Sequence, residues 1–134
     1  MLCCVKSWLK GVGMSGKRVM CVDDSPIMLA KLQQLIESLG YDVCATVLSG
    51  KDAIKLYQEV KPDVLTMDIT MVGMDGIETT KQILQQYPEA RIIMVTSHGQ
   101  EQMVVKALKA GAIGYVMKPV QSATLNEHLA RALG

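Results

Sequence analysis

The sequence predicts an α/β fold, a doubly wound sheet of five parallel strands flanked by five helices, and three observations carry that expectation. From Arg18 onward, short β-branched or apolar runs alternate with longer segments of helical period, the pattern of successive βα units. The helical segments end at residues that stop helices: Gly40, Lys61-Pro62, Pro88 and Gly111. Crossovers this short are right-handed, and they wind the chain into a parallel sheet with helices on both faces.

RVMCV, Arg18 to Val22, is the first strand. Ser25 and Pro26 then supply an N-cap and a first helical position. Leu29, Leu32, Ile36 and Leu39 recur at helical spacing, and Gly40 stands where a left-handed C-terminal cap belongs. Tyr41 to Val47 reads as strand two, and Ser49 to Val60 as the second helix with Ala53, Ile54, Tyr57 and Val60 on one side. Val64, Leu65 and Met67 make a strand covered on both faces, which stops at Asp68. A loop with Gly73, Asp75 and Gly76 follows, its glycines letting the chain turn back and Asp75 capping the next helix. That helix, Ile77 to Tyr87, lines up Ile77, Thr80, Leu84 and Tyr87. Strand four is Arg91 to Thr96, helix four about Glu101 to Ala110, strand five Gly114 to Met117, and the last helix Ala123 to Leu133.

At 134 residues the chain fits one domain able to bury a core without metal or disulfide staples. Residues 17–134 form that domain, and 1–16 an N-terminal extension. A net charge of +1 gives no reason to expect nucleic acid or anionic membrane as a partner. No apolar run reaches the roughly 18 residues of a membrane span, and MLCCVKSWLKGVG lacks the apolar core of a secretory signal, so a cytoplasmic location is expected. Cys21 and Cys44 lie in strand-like runs and Cys3 and Cys4 are adjacent, so free thiols are expected rather than a disulfide framework. The ten methionines read mostly as core gap-fillers.

In open parallel sheets ligands bind beyond the carboxyl ends of the strands. Those ends carry Asp23-Asp24, Asp68, Thr96-Ser97 and Lys118. Like charges about 4 Å apart cost on the order of 4 kcal/mol per pair at an effective dielectric near 20, so a carboxylate cluster calls for a cation. An all-oxygen donor set suits a hard ion, Mg²⁺ first and Mn²⁺ second. With the Lys118 cation and the hydroxyls of Thr96 and Ser97, the group forms a receptacle for a phosphoryl group, and Asp68 is the natural nucleophile, giving an aspartyl phosphate. Helix capping alone is the competing account of Asp24, but capping does not explain a lysine at the same edge.

VDDS, TMDITM, MVTSHG and GYVMKP, in this order and spacing, resemble the receiver domain of two-component response regulators, and within it the single-domain, CheY-like chemotaxis type. The likeness covers about Lys17 to Leu133. It implies the flavodoxin-like strand order 2-1-3-4-5, for which this family is a standing example. It implies that Asp68 is the phosphoacceptor, that Asp24 and Asp68 bind the metal directly with the Thr70 backbone carbonyl, and that Asp23 does so through water. Lys118 would read the phosphoryl group, Thr96 would be the switch hydroxyl, and Tyr115 the aromatic that turns into the space Thr96 leaves. Lys118-Pro119 would be a cis peptide, which an X-Pro bond permits. Thr70 and His98 would border the attacking water.

The partners implied are a histidine kinase as phosphodonor, a downstream protein such as the flagellar motor switch bound on the face of helix four, strand five and helix five, and a phosphatase. A phosphate sink or phosphorelay intermediate remains an alternative. Two positions depart from the family pattern: Val72 stands where proline is frequent and Val120 where phenylalanine is. An aspartyl-phosphate phosphatase would carry a second acid two residues after the nucleophile, where this chain has Thr70; a flavodoxin-like electron carrier would hold a yellow flavin.

GVGMSGKR, Gly11 to Arg18, nearly spells a phosphate-binding P-loop, but Arg18 replaces the required hydroxyl and the segment precedes a strand instead of following one. Leu2, Val5, Trp8, Leu9 and Val12 would line one face of a short helix, yet Gly11 and Gly13 weaken it, and a disordered tail or a working start at Met14 is the expectation.

Overall fold

The structure, a computed structural model, describes residues 17–97 and 99–133. Ten elements alternate along it: β1 (Arg18–Val22), α1 (Pro26–Ser38), β2 (Asp42–Val47), α2 (Gly50–Val60), β3 (Val64–Met67), α3 (Gly76–Gln86), β4 (Ile92–Thr96), α4 (Glu101–Lys109), β5 (Gly114–Met117) and α5 (Ser122–Leu133). All strand pairs are parallel and the order is β2-β1-β3-β4-β5. Each expected element is present, with ends shifted by about a residue. The extension 1–16 lies outside the described residues, and with it Cys3, Cys4 and most of the P-loop look-alike; its last residue, Arg18, opens β1.

Helix starts follow local chemistry. Ser25 Oγ accepts the Met28 N–H at 3.2 Å, with Pro26 at the first helical position. Ser49 and Asp75 do the same for α2 and α3, Asp75 Oδ1 accepting the Glu78 N–H at 2.8 Å. Gly40 and Gly111 follow their helices at φ +95° and +111°, as left-handed caps require. Lys61 closes α2 in the left-handed region as well, at φ +48°, and the Arg18 guanidinium donates to its carbonyl at 3.1 Å.

Side chains alternate across each strand, and the sheet sorts them into two cores. On one face Met20, Val22, Leu65, Met67, Ile92 and Met94 meet α2, α3 and α4 through Ala53, Tyr57, Ile77, Ile83 and Ala107. On the other, Val19, Cys21, Val43, Val64, Ile93, Val95 and Val116 meet Leu29, Leu32 and Ile36 of α1 and Leu125 and Leu129 of α5. Ile83 is the deepest apolar side chain of α3, whereas the expected line of Ile77, Thr80, Leu84 and Tyr87 follows one border of the buried stripe. Cys21 is buried and Cys44 half-buried, both as free thiols. No helix among the described residues is long and apolar enough to cross a membrane.

Candidate functional site

The register of the strands brings the acids together. β1 lies between β2 and β3, with Val22 opposite Met67, so Asp23 and Asp68 emerge side by side one residue later. Backbone bonds fix both: the Asp23 N–H donates to Val47 O and the Asp68 N–H to Val22 O, each at 3.0 Å. Asp23, Asp24 and Asp68 each offer an oxygen, and these atoms lie within 4.8 Å of one another.

Lys118 reaches into the cluster from the end of β5. Its Nζ lies 2.8 Å from Asp23 Oδ2 and 3.5 Å from Asp68 Oδ1. The backbone N–H of Lys118 donates to Thr96 O at 2.8 Å, which ties the end of β5 to the end of β4. The Lys118-Pro119 bond is cis.

The two adjacent acids that follow β1 divide their work. Asp23 is buried, pairs with Lys118, and its Oδ1 accepts the Ser25 N–H at 2.9 Å. Asp24 is exposed and does not cap α1, since Ser25 does; its Oδ2 accepts the N–H of Val72 at 3.3 Å. Burial pushes the Asp68 carboxyl above the usual aspartate value; Lys118 pulls it part of the way back, and Asp23 and Asp24 push it further up.

Thr96 ends β4 with its side chain fully buried. Met94, two residues earlier and therefore on the same face, is in register with Tyr115. Tyr115 is half-buried and packs on the α2–α3–α4 core, so the two expected switch residues share one face of the sheet. Burial also pushes the Tyr115 phenol upward. Ser97 and Thr70 are exposed, Thr70 two residues beyond Asp68 in the β3–α3 loop; His98 lies outside the described residues.

Gly76 contributes more than a turn. Its φ is not positive; a Cβ there would run into the carbonyl of Asp68, so α3 begins in direct contact with the backbone that carries the acid. The Asp-Gly pair signals a helix start in sequence, but the close approach is a tertiary fact. Val72 is a second missed participant, because its contribution is a backbone N–H and no residue type announces it.

An oxygen-only cluster of three acids with a lysine on one side and a buried threonine nearby fits a hard divalent cation: the donors match in kind, and the uncompensated Asp24 charge calls for one. The site's charge and donor types are those that would suit a phosphoryl group. Comparison with known proteins agrees, for residues 19–130 match the family model described as the response regulator receiver domain. The chain belongs to the response regulator receiver domains. Chemotaxis protein CheY of Thermotoga maritima is 43% identical over 114 residues, spanning 85% of this chain and 95% of that protein. Chemotaxis protein CheY of Bacillus subtilis is 39% identical over 116 residues, 87% and 97% of the two chains. Among solved structures, the CheX-CheY-BeF3-Mg+2 complex from Borrelia burgdorferi superposes at a TM-score of 0.84 with 32% identity, covering 88% of this chain and 90% of that one. The receiver thus stands with the chemotaxis type, as a signalling protein in place of a classical enzyme.

Proposed function

We propose that this receiver is a cytoplasmic phosphorylation switch that takes a phosphoryl group from a histidine kinase onto Asp68. The observation that carries the reading is Lys118 standing between Asp23 and Asp68 at the edge of a three-carboxylate cluster. The carboxylate oxygen of Asp68 forms the new bond to phosphorus as the P–N bond of the donor breaks and the imidazole leaves. Lys118 then pairs with the phosphoryl oxygens. Asp24, Asp68 and the Thr70 carbonyl would hold Mg²⁺, with Asp23 engaged through water; the bound ion supplies positive charge to the equatorial oxygens.

Placement supports the rest of the switch. Thr96 sits at the tip of β4 beside the acid edge, and Tyr115 shares its sheet face, so a move of Thr96 toward a phosphoryl oxygen opens room for the phenol. The signal would reach the face of α4, β5 and α5, where Val105, Leu108, Ile113 and Met117 are exposed apolar side chains on α4, the α4–β5 connection and β5. Those suit a downstream protein target such as a flagellar motor switch, and the CheX-CheY complex of the Borrelia relative supports a phosphatase as a further partner. A complete swing from 1:99 to 99:1 asks about 5.5 kcal/mol of differential stabilisation.

The test is Mg²⁺-dependent labelling by an acyl phosphate. Stoichiometric label is expected on the parent, and none on Asp68→Asn. Persistent stoichiometric label on that variant would reassign the acceptor.

A further inference from the structure

Three carboxylates converge, but the cation inside the site serves two of them. Lys118 Nζ contacts Asp23 and Asp68. Asp24 is the exposed member and has no such neighbour among the described residues. A side chain in that position, repelled by two buried like charges and open to water, turns outward unless something holds it. What holds it is the Val72 N–H, which donates to Asp24 Oδ2 at 3.3 Å across 48 positions of sequence.

The bond does not compete with metal binding. A carboxylate has two oxygens and about four lone-pair directions, so Asp24 accepts this N–H and still offers an oxygen to the cluster. Both conditions hold together in the structure, for the three offered oxygens lie within 4.8 Å while the bond is made. The Val72 side chain is 85% exposed, so the residue acts through its backbone alone.

We propose that the Val72 N–H is a positioning group for the divalent cation, holding Asp24 turned toward Asp23 and Asp68 from the β3–α3 loop. The inference rests on reading the acid cluster as a divalent-cation site. It gives the departure at this position a meaning: proline has no N–H, and a chain with proline here lacks the bond. Hydrogen bonds to a ligating carboxylate set its orientation, and losing one typically lowers metal affinity by an order of magnitude or more.

Calorimetric titration with Mg²⁺ tests it on the full chain. Val72→Pro should weaken binding about tenfold, the low end of that range because the bond is long. Val72→Ala keeps the N–H and should retain the parent affinity. Parent-like affinity in Val72→Pro, or an equal loss in both variants, overturns the proposal. No saturable Mg²⁺ binding by the parent overturns both it and the cation-site reading. Amide hydrogen exchange without metal decides the matter should Val72→Pro not fold: the Val72 N–H should exchange more slowly in the parent than in Asp24→Ala, and equal rates overturn the proposal.

Discussion

The two faces of the sheet are built from different materials. The α1/α5 side is branched aliphatic nearly throughout, with Leu29, Leu32, Ile36, Leu125 and Leu129 packed on valines and Ile93. The α2/α3/α4 side holds Met20, Met67, Met71, Met94 and Tyr57, with the buried hydroxyls of Thr79 and Thr80 nearby. Thr80 Oγ1 even makes its contact with the thioether of Met94, at 3.8 Å. Branched side chains lock a packing arrangement, while unbranched thioethers adapt to several. Thr96 and Tyr115 belong to the adaptable side. One face serves as a fixed base and the other has give, and the residues proposed to move stand on the second.

The largest expected effects separate the faces directly. Leu129→Ala, at a fully buried position of the aliphatic face, should cost about 2 to 5 kcal/mol in urea unfolding yet leave phosphoryl uptake per folded molecule unchanged. Met94→Leu, on the other face, should cost less than about 1.5 kcal/mol but change the ratio of target affinities with and without phosphoryl. If the aliphatic variant altered that ratio and Met94→Leu did not, the contrast would be broken.

A smaller effect should come from the site above both faces. Burial raises the Asp68 carboxyl, so the native state holds that proton more tightly than the unfolded chain does. Stability is therefore fullest below the unfolded value and is lost as pH rises from there through the folded value. Asp68→Asn carries no such charge. In chelator it should be more stable than the parent at neutral pH, the gap closing as pH falls below the ordinary aspartate value. Equal unfolding midpoints at neutral pH would mean that Lys118 offsets the burial completely.

The smallest effect concerns the exception on the aliphatic face. Thr66 is fully buried there, and its hydroxyl is the buried side-chain polar atom without a properly formed hydrogen bond among the described residues. The neighbouring Cys21 thiol, which burial pushes up to about 12, also interacts with it, but a thiol is too weak a partner to count as satisfying a hydroxyl. Thr66→Val should raise stability by up to about 1 kcal/mol, read from the urea midpoint. A loss of stability would show that the Cys21 contact is a real bond.

Most of this arrangement was legible in the chain itself. Ser25-Pro26, Asp75 and Gly40 announce their helix ends through local chemistry, and Asp23, Asp24, Asp68 and Lys118 announce themselves by ending apolar runs in charge. Strand order was not legible from periodicity, because alternation shows which face a residue takes and not which strand lies beside it; the family likeness supplied that. Ile83 escaped because its neighbours Thr80 and Leu84 complete an equally regular line. The anchor of Asp24 escaped because it is a backbone group far along the chain, and the role of Gly76 because a steric approach leaves no mark in residue order.

The joint between Asp68 and α3 has a consequence for design. The Gly76 N–H donates to Ile69 O at 2.8 Å, which pins both ends of the intervening segment 70–75. Within it Met71 is buried in the core and Asp75 caps α3, so added length belongs next to the exposed Gly73, where it can bulge into solvent while the acid stays where β3 puts it. That point of the loop is a place where new sequence, such as a reporter or a partner-specific contact, can be inserted without moving the chemistry beneath, provided that residues 70–72 and Asp75 keep their positions.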